Sequence, residues 1–272
     1  MLLPRQLNGF EPVLPYLDVQ LTSRKFETVS IETSDPVRLA EVTDGARHEP
    51  TYVIAVGSEA ARIAVQDLRL PTIFCQIPDQ EFGSAEGLYG VATMPPLALQ
   101  LQAWKQLDPS LGTIGLILGR DEYLLAAQAR NAAEALGLSL ELQLASSDQE
   151  AVYLFKRMAP RLDGLWLLPD NAVLSPRALR EMLGHANSRR IQSLAFTPAL
   201  LEWGALLSVT GTPANIAWTI ADVMERMADD RRSAVQAITA LSELEAKVNR
   251  HVADQLGLEP PADAWIVRSG DW

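Results

Sequence analysis

The chain has 272 residues, 48% of them hydrophobic and 21% charged, which is enough for two domains that each bury a core of their own. Lys and Arg number 23 against 34 Asp and Glu, a formal charge of −11, and the basic residues are scattered; this argues against a nucleic-acid partner, which needs clustered cations to release counterions. A single cysteine, Cys75, rules out an internal disulfide, and no stretch approaches the roughly 18 apolar residues needed to span a bilayer.

The opening residues, Met1 to Asn8, lack the sustained apolar run of an export signal, so any such signal is absent from this chain. An early strand is expected at Glu27 to Glu32. From about residue 50 one pattern repeats: a short apolar, β-branched run, a turn, then a longer segment of helical periodicity. That alternation is the mark of parallel sheets built from βαβ units. Strands are expected at Val53 to Val56, Thr72 to Gln76 and Leu88 to Ala92, with a helix at Glu59 to Leu68. The break at Met94-Pro95-Pro96 reads as a crossing between domains. The pattern then restarts with a helix at Leu97 to Leu107 and a strand at Thr113 to Leu118. Helices follow at Glu122 to Leu136 and Gln149 to Ala159, with strands at Ser139 to Leu144 and Gly164 to Leu168. Ser175-Pro176, Thr197-Pro198 and Thr212-Pro213 each join a capping side chain to a proline suited to the first helical position, which predicts three more helix starts. Asp229 to Leu256 has strong helical propensity, with Leu241, Leu244, Val248 and Val252 as an apolar stripe.

Ligands of open parallel sheets bind beyond the carboxyl ends of the strands, so the residues just after each strand are the candidates. These are Ser58; Gln76 and Asp79; Arg120, beside Asp121; Asp170 and Asn171; and Thr197. The turn at Gly57-Ser58 offers backbone N–H groups and a positive helix end to an anion, although Glu59 beside it opposes one. For Ser58 a capping role and a ligand role are both open. Asp170 and Asn171 fit an Asx-turn or a ligand amine equally well in kind. Arg120 suits a carboxylate and also an ordinary surface position. Asp121 reads as the cap of the helix from Glu122.

No catalytic constellation is evident. His48, His185 and His251 lie on unrelated segments without a second ligand at metal spacing, so no metal is expected. Nucleophile-elbow, phosphate-loop and dinucleotide fingerprints are all missing, and no cofactor is expected. Cys75, at the end of an apolar strand, reads as an inert core thiol. Trp104, Trp166, Trp203 and Trp218 fit apolar faces, with Trp166 and Trp203 near enough to strand ends to stack on a ligand.

Several segments taken in order carry a resemblance: Val56 to Ala61, Leu70 to Phe74, Ile114 to Leu118, Ala132 to Leu138, Asp163 to Asn171, Trp203 to Leu206 and Val248 to Leu258. Together they resemble the substrate-binding proteins of ABC importers in the tryptophan and tyrosine uptake group, which have the type I periplasmic binding fold. The resemblance implies an α/β protein of two Rossmann-like lobes with parallel sheets: residues 1–94 with about 203–240, and 95–202 with about 248–272. It implies three crossings, a hinge closing on a small organic ligand, an amino acid being one candidate, and an exported, periplasmic protein that presents its cargo to a membrane permease. The loops matching Gly57-Ser58-Glu59-Ala60 and Pro169-Asp170-Asn171 would hold that ligand from the two lobes. The chain departs from the group in four places. No first strand and helix are evident in residues 1–26, and Leu88-Tyr89 precede Gly90 where the group has Asn-x-Thr-Gly. The loop after Gln76 keeps Asp79 without the usual following proline, and a long charged helix is expected before Val248. These departures suit an alternative, a binding-protein fold reused as a sensory or protein-interaction module.

Overall fold

A computed structural model of the chain describes residues 1–3, 11–46, 48, 50–75, 88–92, 94–169, 173–229 and 238–268. The chain divides into two compact units, Met1–Met94 with Gly211–Ser242 and Pro95–Thr210 with Glu243–Trp272. In chain order the first unit opens with β1 (Leu2–Leu3), α1 (Leu14–Ser23), β2 (Ile31–Glu32), α2 (Pro36–Gly45), β3 (Val53–Val56), α3 (Ser58–Ile63), β4 (Thr72–Cys75) and β5 (Leu88–Val91). The second follows with α4 (Leu97–Leu107), β6 (Thr113–Gly119), α5 (Tyr123–Ala135), β7 (Ser139–Ala145), α6 (Asp148–Met158), β8 (Gly164–Trp166), α7 (Pro176–Ser188), β9 (Gln192–Ala195) and β10 (Leu207–Gly211). The chain returns to the first unit for α8 (Pro213–Ala228) and β11 (Ile238–Thr239). It ends in the second with β12 (Glu243–Val248), α9 (Arg250–Leu256) and β13 (Ala264–Arg268).

The first sheet is ordered β11-β5-β4-β3-β1-β2 and is parallel throughout. Every residue of β3 and β4 is buried, as expected of strands covered on both faces by helices. The second sheet is ordered β13-β12-β10-β9-β8-β6-β7, parallel from β7 to β10, with β12 and β13 an antiparallel pair at its end. Residues 203–210, expected in the first lobe, belong to the second unit, because β10 pairs with β9 in its sheet.

Proline and capping side chains start the helices where the sequence marks them in two cases of three. Ser175 Oγ accepts from Ala178 N at 3.2 Å ahead of α7, and Thr212 Oγ1 accepts from Asn215 N at 3.0 Å ahead of α8. Thr197-Pro198 differs: only a single 3₁₀ turn follows, Pro198–Leu201, and the Thr197 side chain accepts no capping bond. Two further expectations are corrected. Gly57 holds the cap position of α3, which makes Ser58 its first residue. Glu122, not Asp121, holds the cap position of α5, without a side-chain capping bond.

Both chain ends differ from the sequence expectation. Leu2 and Leu3 form β1, paired with Ile31 and Glu32 on one side, while Leu2 also pairs with Ala55 on the other. Helix α1 follows, burying Leu17 and Leu21 one turn apart, so the first strand and helix are present in residues 1–26. The strand expected at Glu27 to Glu32 is confined to Ile31–Glu32. Toward the other end, the long helix expected over Asp229 to Leu256 is replaced within 238–248 by β11 and β12, and among the described residues of that span Arg250–Leu256 is helical; residues 230–237 lie outside the described residues. Leu241, Leu244, Val248 and Val252 are all buried as the stripe requires, but along β12 burial alternates through Leu244, Ala246 and Val248. Pairing of Leu244 with Val267 and the Arg268–Glu243 ion pair at 2.9 Å supply what overrides the helical propensity.

Each unit has its own apolar core. In the first, Val53, Ala55, Ala60, Ile63 and Phe74 are packed with Leu2 and Ile31. In the second, Phe155, Met158, Leu165, Met182 and Leu183 form the centre of a larger cluster. Trp104 and Trp166 are fully buried, whereas Trp218, expected in a core, is 44% exposed on α8.

Candidate functional site

In each sheet the strand order reverses at one place. The chain passes from β1 to β2 on one side and then to β3 on the other, and it repeats this from β6 to β7 and β8. Beyond the carboxyl ends of the two strands flanking such a reversal, neighbouring loops splay apart and leave a crevice. The two reversal points are therefore the ends of β1 and β3 in the first unit and of β6 and β8 in the second.

In the first unit, β3 leads into Gly57, whose φ of 83° lies in the left-handed region open chiefly to glycine. The turn places Ser58 and Glu59 at the start of α3, beyond the strand end. Glu59 is exposed and accepts a long hydrogen bond from Thr33 Oγ1, at 3.4 Å, so the residue just after β2 also reaches this edge. Ala60, expected among the ligand contacts, has its side chain fully buried against the core, which leaves only its backbone for such a role. Gln76 and Asp79 lie outside the described residues. Cys75, which pairs with Val56, is buried, and burial pushes its thiol up to about 12; its Sγ lies 3.6 Å from Ala55 O. A thiol held protonated in this way is no nucleophile.

In the second unit, Arg120 follows β6 and its Nε donates to Ser146 Oγ, while Nη2 lies 3.3 Å from Glu150 Oε1. Glu150 also accepts from Ser146 N at 2.7 Å; that bond, with the Arg120 guanidinium beside it, outweighs desolvation and holds the carboxyl below its usual range. Arg120 is thus drawn toward the β7–α6 loop, yet its side chain stays 59% exposed, and Nη1 has no partner among the described residues. Thr197 follows β9, half-buried in extended backbone, with no partner for its hydroxyl among the described residues. Because β6, β8 and β9 are adjacent, Arg120, Pro169 and Thr197 follow three neighbouring strands. Asp170 and Asn171 lie outside the described residues.

Trp166 does not stand where it can stack on a ligand. It is sealed in the core, and its Nε1 donates to Gln100 Oε1 at 3.1 Å. Trp203 is half-buried, with the Arg180 guanidinium 4.0 Å above its ring. Thr33, Ser146 and Glu150 are the edge residues that sequence reasoning passed over. Ser147 and Glu150 form the Ser-x-x-Glu spacing of a capping box, and that signal was readable. Among the described residues no group of His, Cys, Asp and Glu is arranged to hold a metal, and no helix is long and apolar enough to cross a membrane.

Two units of this construction, each an open sheet flanked by helices and joined by a chain that passes between them three times, define the type I periplasmic-binding-protein-like fold. No family model and no curated protein matches the sequence. Among solved structures, the ligand-free, open form of a substrate-binding protein with adhesive properties from Clostridium difficile has a TM-score of 0.72 at 15% identity, over 96% of this chain and 95% of that one. An ABC domain in complex with L-Trp from Streptococcus pneumonia has a TM-score of 0.59 at 18% identity, over 96% and 95%. A transcriptional activator of the comK gene from Bacillus halodurans also matches, with a TM-score of 0.52 at 10% identity over 94% of each chain. The fold is therefore common to substrate-binding proteins and to regulators.

Proposed function

We propose that this chain is the solute-binding component of an ABC-type importer of the tryptophan and tyrosine uptake group, working outside the cytoplasm and passing a small organic ligand to a membrane permease. An amino acid is the ligand class favoured. The observation that carries this reading is the repetition of one device: in each sheet, polar residues from the expected set follow a strand at the point where strand order reverses, Ser58 in one unit and Arg120 in the other. Arg120 would fork onto the ligand carboxylate, and Thr197 would accept from or donate to a second polar group. Asp170 and Asn171 are proposed for its amine, with Glu59, Ala60, Gln76 and Asp79 completing the contacts. The likeness to a domain that holds L-Trp supports an aromatic amino acid as the first probe. Among the described residues the strand ends offer binding groups without a nucleophile oriented by a base, and we assign no reaction.

Thermal unfolding of the purified chain against the twenty amino acids, small carboxylates and sugars tests the proposal. A ligand at about 100 times its dissociation constant adds about 2.7 kcal/mol, a shift of roughly 5–10 °C for a protein of this size. A shift confined to amino acids is expected. The exposed Glu59 beside Ser58 opposes anion binding at that turn and favours a second reading, a sensory or protein-interaction module. A folded sample that shifts with none of the probes overturns the importer and leaves that reading.

A further inference from the structure

One stretch of this acidic chain runs against its net charge. From Lys156 to Arg190 seven Lys and Arg stand against three Asp and Glu, whereas the rest of the chain has 16 against 31. Folding gathers that excess on one face of the second unit. Helices α6 and α7 lie side by side, clipped by Lys156 Nζ to Glu181 Oε1 at 2.6 Å. They expose Tyr153, Lys156 and Arg157 from one helix and Arg177, Arg180 and Glu181 from the other, spacings of three and four residues that keep each set on one side. Arg189 and Arg190 follow α7 and are exposed as well. Burial holds the His185 imidazole below its usual range, and Arg189 and Lys156 add to the effect, so both cations belong to one field. Six exposed cations thus surround a single carboxylate, Glu181. Further carboxylates lie at the borders: Asp148 and Glu150 at the start of α6, where Ser175 Oγ and Ser146 N donate to them, Asp163 ahead of β8, and Glu202 beside Trp203, the ring that Arg180 covers.

We propose that this face of α6 and α7 docks on an anionic phospholipid surface, with phosphate headgroups meeting the six cations. A contact between folded proteins needs an apolar centre from which water is excluded, and among the described residues Tyr153 is the one large apolar side chain exposed on this face. A headgroup layer makes no such demand. It asks for cations spread over a broad area, and it accepts a phenol ring at headgroup level, where the hydroxyl stays wet. Tyr153 is 58% exposed with the Arg157 guanidinium 5.7 Å from its ring centre, so cation and ring are presented together. A chain of net charge −11 is repelled by an anionic surface unless it leads with this face, and the attraction therefore also sets its orientation.

Flotation of the full chain with lipid vesicles reads the contact. Binding to phosphatidylcholine vesicles containing about one third phosphatidylglycerol is expected at about 20 mM salt, with none to pure phosphatidylcholine and a steep loss by about 150 mM, because screening shortens the reach of the cations. Arg177→Glu with Arg189→Glu reverses two charges of the face and is expected to weaken binding by about 25-fold or more, since each Lys or Arg near such a surface is worth about fivefold. Arg62→Glu with Arg130→Glu makes the same change of net charge on α3 and α5 and is expected to cost far less. All four positions are exposed, and an unchanged Tm certifies each fold. If the face pair lowers Tm, Arg177→Gln with Arg189→Gln replaces it and must still weaken binding. No flotation with the anionic vesicles overturns the proposal, as does equal binding to pure phosphatidylcholine or an equal loss in the two charge-reversed pairs. A chain that binds polyglutamate and ignores the vesicles overturns it too, and gives the face to an acidic protein instead.

Discussion

Gln100 shows how a single buried amide organises its surroundings. It is 2% exposed on α4, accepts the Trp166 indole N–H at 3.1 Å and donates to Pro95 O at 2.8 Å. One side chain thereby ties the segment entering the second unit to the last residue of β8, three residues before Pro169 at the candidate loop. The same pairing recurs nearby, where Trp104 Nε1 donates to Gln192 Oε1 at 2.7 Å. Gln100→Leu preserves volume but strands an indole N–H and a carbonyl in the core, at about 1–3 kcal/mol for each unsatisfied buried group. Denaturant unfolding followed by tryptophan fluorescence is expected to show the loss as a lower midpoint at unchanged slope. A midpoint equal to wild type would mean that water already serves the indole. Neither amide announces its partner in the sequence, because a glutamine on a helix, like Gln100, or at the start of a strand, like Gln192, reads as a solvated residue until tertiary packing brings a tryptophan to it.

At the scale of elements, β12 is where local propensity and long-range pairing conflict most openly. Glu243 to Lys247 is rich in helix formers, and the apolar residues around it also satisfy a helical stripe. The strand wins because β13 offers a full antiparallel register from Glu243–Arg268 to Lys247–Ala264, and because alternation then sends Leu244, Ala246 and Val248 inward together. Leu244 is fully buried, so Leu244→Ala is expected to cost about 2–5 kcal/mol. Lys247→Ala, at a partly exposed position of the same strand, is expected to lie within about 0.5 kcal/mol of wild type. Equal effects at the two positions, measured by thermal unfolding, would contradict the alternation. The opposite case is β3, whose run Val53 to Val56 is apolar throughout and flanked by turn residues; nothing competes with the strand, and it stands where the sequence puts it. Strand β1 was missed for a third reason: two residues carry no periodicity, and their place in the sheet comes wholly from Ile31 and Ala55 beside them.

For the whole molecule, the proposed binding function makes a demand on both units at once. A ligand contacted from two sets of strand ends loses affinity when either set is cut back. Ser58→Ala and Arg120→Ala are therefore each expected to weaken the best amino-acid probe by about 3- to 100-fold in calorimetric titration, with Arg120 the larger effect because a charge-assisted bond contributes more than a hydroxyl. Loss in one variant alone would confine the site to one unit, and loss in neither would overturn the strand-end placement.

The sequence by itself determined the class of the protein. Repeated apolar runs followed by helical periods, with Ser-Pro and Thr-Pro pairs at helix starts, specify parallel α/β sheets, because both periodicities and caps are local properties of the chain. It also marked the residues that follow the strands, since a strand end is visible wherever an apolar run stops. Only the tertiary structure decided which of those ends share a reversal point, that Ala60 and Trp166 turn inward, and that Arg120 is drawn to Ser146 and Glu150. Strand order and side-chain partners are set by contacts between residues far apart in the chain, and no local pattern encodes them.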